Sequence, residues 1–248
     1  SWRHLSILAI DTATQVSSVA VLDGSKVLAE LTMQARLTHS ETLLPHIEQA
    51  LNMAGITKDK LTGIAVSIGP GSFTGLRIGL AAAKTMAYAL SLPIIGVSTL
   101  KALAEHFYGA EALIVSMIDA QKGNAYVESY EWQNGELKIV TPVKVASIDK
   151  IIASCAKKTK NVILTGDAVQ KKIAGKLELP ANVIIAPPHL LMPRAACVAV
   201  IGQRELSLGK KDNVMAIEPV YIRRSEAEVL WEKRHPKEAE NTKPTEEL

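Results

Sequence analysis

The chain has 248 residues, of which 48% are hydrophobic and 21% charged, with a net charge of +3. That length buries a sizeable core and suits two small domains or one large one. So small a charge excess, with only 4% aromatic residues, argues against a dedicated nucleic-acid binder or a base-stacking platform.

Leu5 to Ile10 reads as a short buried strand ending at Asp11. Val16 to Leu22 and Lys26 to Met33 follow as strands around the Asp23-Gly24 hairpin signal. Thr38 and Glu41 have the spacing of a capping box, and behind them Leu43, Leu44, Ile47, Ala50, Leu51 and Ala54 repeat at helical spacing until Gly55. Leu61 to Ile68 is a strand, a glycine-rich turn follows, and Leu76 to Leu90 is a helix. Pro93 to Val97 returns as a strand, and Ser98 caps a helix to about Phe107.

The second half replays this order. Ala112 to Ile118 is a strand ending at Asp119, and Ala125 to Trp132 pairs with Glu136 to Val140 around Asn134-Gly135. Ser147 caps a helix to about Lys157, Asn161 to Leu164 is a strand, and Asp167 opens a helix to Lys176. Val183 to Ala186 is a strand, and Pro193 to Leu208 a helix closed by Gly209. The order βββαβαβα therefore occurs twice, each first strand ending in Ile-Asp. This is the pattern of an α/β, duplicated actin-like ATPase (ribonuclease H-like) fold, with two lobes of mixed sheet flanked by helices. The expected lobes are residues 1–108 and 109–224. Pro219 to Arg224 reads as a last extended segment, and 225–248 as a short helix and a Lys-, Glu- and Pro-rich mobile tail.

Cys155 and Cys197 offer neither a disulfide framework nor zinc spacing, which fits a reducing cytosol. No apolar stretch approaches a membrane span, and Ser1-Trp2-Arg3-His4 leads straight into a strand-like run without a secretory signal. A cytoplasmic protein with no membrane partner is expected.

Gly69, Gly71 and Gly75 in the turn Gly69 to Gly79 permit positive φ and close backbone approach, and the following helix aims free amides at its neighbour. The turn lacks the Gly-Lys-Ser/Thr of a Walker loop, the glycine spacing of the dinucleotide fingerprint and the central serine of a nucleophile elbow. Gly69 and Gly71 remain candidates for an anion contact, with close helix packing the favoured reading. Asp11 and Asp119 stand where actin-like ATPases keep metal- and phosphate-directing carboxylates, but each also suits a plain turn cap. His39 and His46 share a helix face about 10 Å apart, too far for one metal. Lys157-Lys158-Thr159-Lys160, Lys171-Lys172 and Arg223-Arg224 are basic groups available to RNA phosphates or to solvent.

The run Gly69-Pro-Gly-Ser-Phe-Thr-Gly-Leu-Arg-Ile-Gly79 resembles the hallmark of the bacterial TsaB (YeaZ) family. Ile10 to Thr14, His39 to Pro45, Met117 to Gln121 with Tyr126, and Pro219 to Arg223 agree with it, so the resemblance spans nearly the whole chain. It implies a non-catalytic partner of the TsaD-type transferase that makes threonylcarbamoyladenosine beside the anticodon of tRNAs reading A-starting codons. A TsaE-like ATPase is the implied third subunit, with a homodimer when the chain is alone and tRNA met only indirectly. No catalytic residue, metal or required cofactor is implied for this chain, although ATP or ADP is allowed at a complex interface. The transferase's metal-binding His-x-x-x-His pair falls on about Thr99 and Leu103 here, neither a good ligand. The implied dimer contact uses first-lobe helices, with Leu43, Ile47, Leu51, Leu76, Leu80, Lys84 and Tyr88 as its candidates. Rival readings are an independent actin-like ATPase or kinase using Asp11 and Asp119, and a glycoprotease-type metallopeptidase.

Overall fold

The computed structural model describes residues 4–34, 38–222 and 233–236. Its elements run β1 (Ser6–Asp11), β2 (Val16–Asp23), β3 (Lys26–Gln34), α1 (His39–Ala54), β4 (Gly63–Gly69), α2 (Phe73–Leu90), β5 (Ile94–Ser98) and α3 (Thr99–Glu105). The second series is β6 (Leu113–Asp119), β7 (Asn124–Gln133), β8 (Glu136–Ser147), α4 (Ile148–Ala156), β9 (Val162–Thr165), α5 (Asp167–Lys172), β10 (Val183–Ile185) and α6 (Ala195–Ser207).

Both series build the same five-stranded sheet. The first has the order β3-β2-β1-β4-β5 and the second, read from its other edge, β8-β7-β6-β9-β10. In each, two antiparallel hairpin pairs precede two parallel pairs. The duplicated topology is that of the actin-like fold. No helix among the described residues is long and apolar enough to cross a membrane.

Strand alternation explains how the first sheet is covered on both sides. Leu8, Ile10, Val19, Val21, Ile64 and Val66 join the core under α1 and α2. Ile7, Ala9, Ala20, Ala65, Ile95 and Val97 point to the opposite face, where Ala195, Val198, Ala199 and Ile201 of α6 meet them. In the second sheet Leu113, Val115, Met117 and Val127 pack with Ile148, Ile151 and Cys155 of α4 and Ala168 and Val169 of α5.

The helix α6 corrects the expected lobe boundary. One unit comprises residues 1–103 with 193–220, and the other 104–192 with 221–248. The split at 108 and 109–224 thus cuts through the first unit. Hydrogen bonds at the start of α6 supply the reason. The Ala195 amide donates to Ser18 Oγ (2.7 Å) and the Ala196 amide to Glu30 Oε2 (2.9 Å), both on the first sheet. Arg194 adds a 2.6 Å ion pair to Glu30, and Gln203 donates to the Gly24 carbonyl (2.8 Å). Helix amides left open at an N-terminus are satisfied here by a distant strand rather than by the preceding loop, so linear order misplaces the element.

Other differences are local. The strand β8 continues past Val140 because a bulge accommodates Pro142. The capping box at α1 does not form: Thr38 occupies the N-cap position, but its side chain makes no cap bond, and Glu41 donates its amide to the Thr38 carbonyl. Ser147 does cap α4, accepting from the Lys150 amide. The extended segment at 219–224 is described through Ile222, and Val220 donates to the Ile68 carbonyl at 2.8 Å. The helix and tail expected at 225–248 lie outside the described residues apart from 233–236.

Candidate functional site

The glycine turn joins β4 to α2 and closes over the loop after β1. A Cβ on Gly71 would overlap the Ala13 carbonyl, one on Gly75 the Thr12 carbonyl, and one on Gly79 the Thr12 hydroxyl. All three glycines therefore serve one close approach. Hydrogen bonds seal it: the Ser72 amide donates to the Ala13 carbonyl (2.7 Å), and Thr12 Oγ1 donates to the Gly75 carbonyl (2.6 Å). Ser72 Oγ accepts from the Gly75 amide as the N-cap of α2 (3.2 Å). His39, at the start of α1, joins the same corner through Nε2 and the Thr14 carbonyl (2.7 Å). This histidine is half-buried and is neither a surface group nor a cap.

That packing decides what the turn does. The Ser72 and Gly75 amides are engaged within the chain, and the space beside Gly71 and Gly75 is filled by backbone. Gly69 takes φ +108°, with the Leu76 side chain and the Val220 carbonyl beside its Cα. The glycines act as a structural clamp.

Asp11 lies at the end of β1 and is 1% exposed. Its Oδ1 accepts from the Ala13 amide (3.1 Å), whereas Oδ2 is buried without a hydrogen bond. Burial pushes its pKa up to about 6, opposed by the Ala13 amide and then by the neighbouring Ser67 hydroxyl. Asp119 repeats the arrangement in the second sheet, its Oδ1 accepting from the Gln121 amide at 3.0 Å. Gln121 and Lys122 then take φ of 67° and 55°, a left-handed bend that strains residues other than glycine. The repeated bond from residue i+2 makes both aspartates turn caps at equivalent strand ends.

The second corner holds a feature that sequence reading missed. Asp167, at the start of α5, accepts the Asp119 amide at 2.8 Å. Lys171 lies 3.4 Å from Asp167 and 3.8 Å from Asp119. Burial holds the Asp167 carboxyl above its ordinary range, with the Asp119 amide and Lys171 opposing. The i, i+4 spacing of Asp167 and Lys171 was the available signal. Among the described residues no group of three or more His, Cys, Asp or Glu is placed to hold a metal ion. Thr99 and Leu103 are both fully buried.

The expected docking residues divide sharply. Leu43, Ile47, Leu51 and Leu80 are buried in the core with the first sheet, and Leu76 is buried beside Gly69. They are core, and their assignment to a partner surface is corrected. Lys84 is half-buried and donates to the Ile217 carbonyl at 3.2 Å. Tyr88 alone of the seven stands out, 75% exposed. Three further apolar side chains are exposed on α1 and α2: Leu44, which the helical period counted with the stripe, at 59%, and Met53 and Phe73, which it did not, at 62% and 45%. Their signal was their position off the buried stripe, one residue beyond Leu43 in the case of Leu44. Arg77 lies over the Phe73 ring, 5.0 Å from its centroid.

Of the basic groups, Lys160 pairs with Glu131 at 2.6 Å and Lys171 with the aspartates. Arg223-Arg224 lies outside the described residues.

The family model described as "TsaD: tRNA N6-adenosine threonylcarbamoyltransferase" matches residues 33–231. A Bacillus subtilis protein named "tRNA threonylcarbamoyladenosine biosynthesis protein TsaB" is 31% identical over 92% of this chain and 98% of its own length. The Escherichia coli protein of the same name is 29% identical over 94% of this chain and 100% of its own. The solved structure titled "YeaZ from Pseudomonas aeruginosa" superposes with a TM-score of 0.75 at 26% identity, covering 88% of this chain and all of that one. With the duplicated sheets and the glycine clamp already described, these likenesses show that the chain belongs to the TsaB (YeaZ) family, within the wider TsaD-type family.

Proposed function

We propose that the chain is a non-catalytic subunit in the biosynthesis of threonylcarbamoyladenosine in tRNA, and that it docks on a TsaD-type transferase through the outer faces of α1 and α2. The observation that carries this reading is the exposed set Leu44, Met53, Phe73 and Tyr88 on two adjacent helices. Large apolar side chains left exposed on neighbouring helices mark protein contacts more often than catalytic sites. The glycine clamp fixes the start of α2 to the loop after β1, and His39 fixes the start of α1 to the same loop. A surface held in place loses little freedom on docking.

The remaining parts of the proposal follow from the family. A TsaE-like ATPase joins the pair, and any ATP or ADP sits at the complex interface rather than on the glycine turn. Alone, the chain pairs with a second copy through the same face, since that face is what the transferase covers. It meets tRNA only through the assembled complex, in the cytoplasm. The engaged turn amides and the turn-capping bonds of Asp11 and Asp119 support an activating role over an independent ATPase, kinase or peptidase.

Reconstitution tests the proposal. The transferase, the TsaE-like ATPase, threonylcarbamoyl-adenylate and unmodified tRNA are combined with and without this chain, and modified tRNA is followed. Modification only when the chain is present, with no turnover by the chain alone, is the expected result. Modification at the full rate without the chain, or by the chain alone, overturns it.

A further inference from the structure

The two halves of the molecule share a topology but not the length of one helix. In the first sheet α1 has 16 residues and packs across β2 and β3. Its counterpart α4 has 9 residues and packs against β8. A helix shorter by about 10 Å leaves part of the equivalent sheet face without a cover. A hollow of about 210 Å³ lies between α4 and the strands β6, β7 and β8.

A bulge in the sheet shapes the hollow. The pairing of β7 with β8 shifts register on either side of Ser129, where Pro142 has no amide to donate. Side chains replace the missing ladder: Glu128 Oε2 accepts from the Val143 amide (2.8 Å) and Ser129 Oγ from the Thr141 amide (3.0 Å). Glu128 Oε1 accepts in turn from the Tyr130 hydroxyl. Both oxygens of the one carboxylate that lines the hollow are thus engaged in holding the strands.

The floor is apolar, formed largely by Val127, Val145 and Ile151. Around it stand Lys144, Lys150 and Lys158, all exposed and none within ion-pair distance of a described carboxylate. Three ammonium groups against the one Glu128 carboxylate leave an excess of positive charge around the hollow. An anion offsets that excess, an uncharged ligand leaves it in place, and a cation increases it.

We infer that the hollow beside α4 is a binding site for a small amphiphilic anion, a short apolar body carrying one carboxylate, phosphate or sulfonate. The body lies on Val127, Val145 and Ile151, and the acidic head faces the three ammonium groups. The volume equals that of roughly seven water-sized groups, which limits the body to a short chain or a single ring. The site is built from elements of the second unit only, and it stands or falls independently of the docking proposal.

Sodium octanoate and octylammonium chloride are the probes, titrated into the full chain while backbone amide resonances are followed by NMR. Octanoate in the millimolar range should give saturable shifts confined to β7, β8 and α4, and octylammonium none there. Lys150→Glu, an exposed change, should weaken octanoate about tenfold. Ile151→Trp, which fills the floor, should abolish the shifts, with circular dichroism confirming the fold of both variants. Absence of saturable shifts with octanoate overturns the inference. So does equal binding of octylammonium, or unchanged octanoate binding in folded Lys150→Glu protein.

Discussion

At Asp11 one carboxyl oxygen takes the Ala13 amide while the other is buried without a partner. The pKa in the folded chain, about 6, lies above the ordinary 3.8, so the folded state holds this proton more tightly than the unfolded state does. The stabilisation is complete below the unfolded value and is lost as pH rises through the folded one, on the order of 3 kcal/mol in all. Asp11→Asn keeps an oxygen for the Ala13 amide and carries no charge. Its urea midpoint should therefore fall less than that of the unaltered chain between those two pH values; parallel curves would refute the burial argument. Gly75→Ala is the matching test of the clamp. Its Cβ would overlap the Thr12 carbonyl, and backbone cannot swing aside as a side chain can. A loss of about 1–3 kcal/mol is expected, lowering the thermal midpoint by several degrees. An unchanged midpoint would mean that the turn is looser than the packing indicates. The glycine spacing alone excluded the familiar phosphate loops, but which atoms the glycines approach became visible only with Thr12 and Ala13 in place.

Among the elements, α1 and α2 each carry two apolar sets with different fates. Leu80→Ala removes a buried side chain and should cost about 2–5 kcal/mol in a denaturant titration. Tyr88→Ala removes an exposed one and should stay within about 0.5 kcal/mol while weakening the complex with the transferase. The reverse pattern would return the docking face to the buried stripe. Helical period made both helices legible, because Leu43, Ile47, Ala50 and Leu51 repeat with the sheet below them. The same period cannot tell a stripe buried within the chain from one buried against a partner, so the candidate interface fell on the core. The strand β8 was legible only to Val140 for a related reason. Pro142 signals a strand end, and the side chains of Glu128 and Ser129 that carry the strand past it come from another element.

For the whole molecule, duplication was readable from the order of elements and from the two strands ending in Ile-Asp, and both sheets share one strand order. The unit boundary was not readable. The partners that draw α6 to the first sheet, Ser18 and Glu30, lie more than a hundred residues before it. The family likeness then joins this scaffold to tRNA threonylcarbamoyladenosine biosynthesis, and the exposed faces of α1 and α2 carry the proposed assembly. The most direct measurement is calorimetric titration of a TsaD-type transferase with the chain and with a Leu44→Glu/Tyr88→Glu variant whose thermal unfolding is unchanged. The account predicts binding weakened at least about tenfold by the double variant, with a parallel loss of modified tRNA in the reconstituted system. Undiminished binding and full modification with the folded double variant would contradict it.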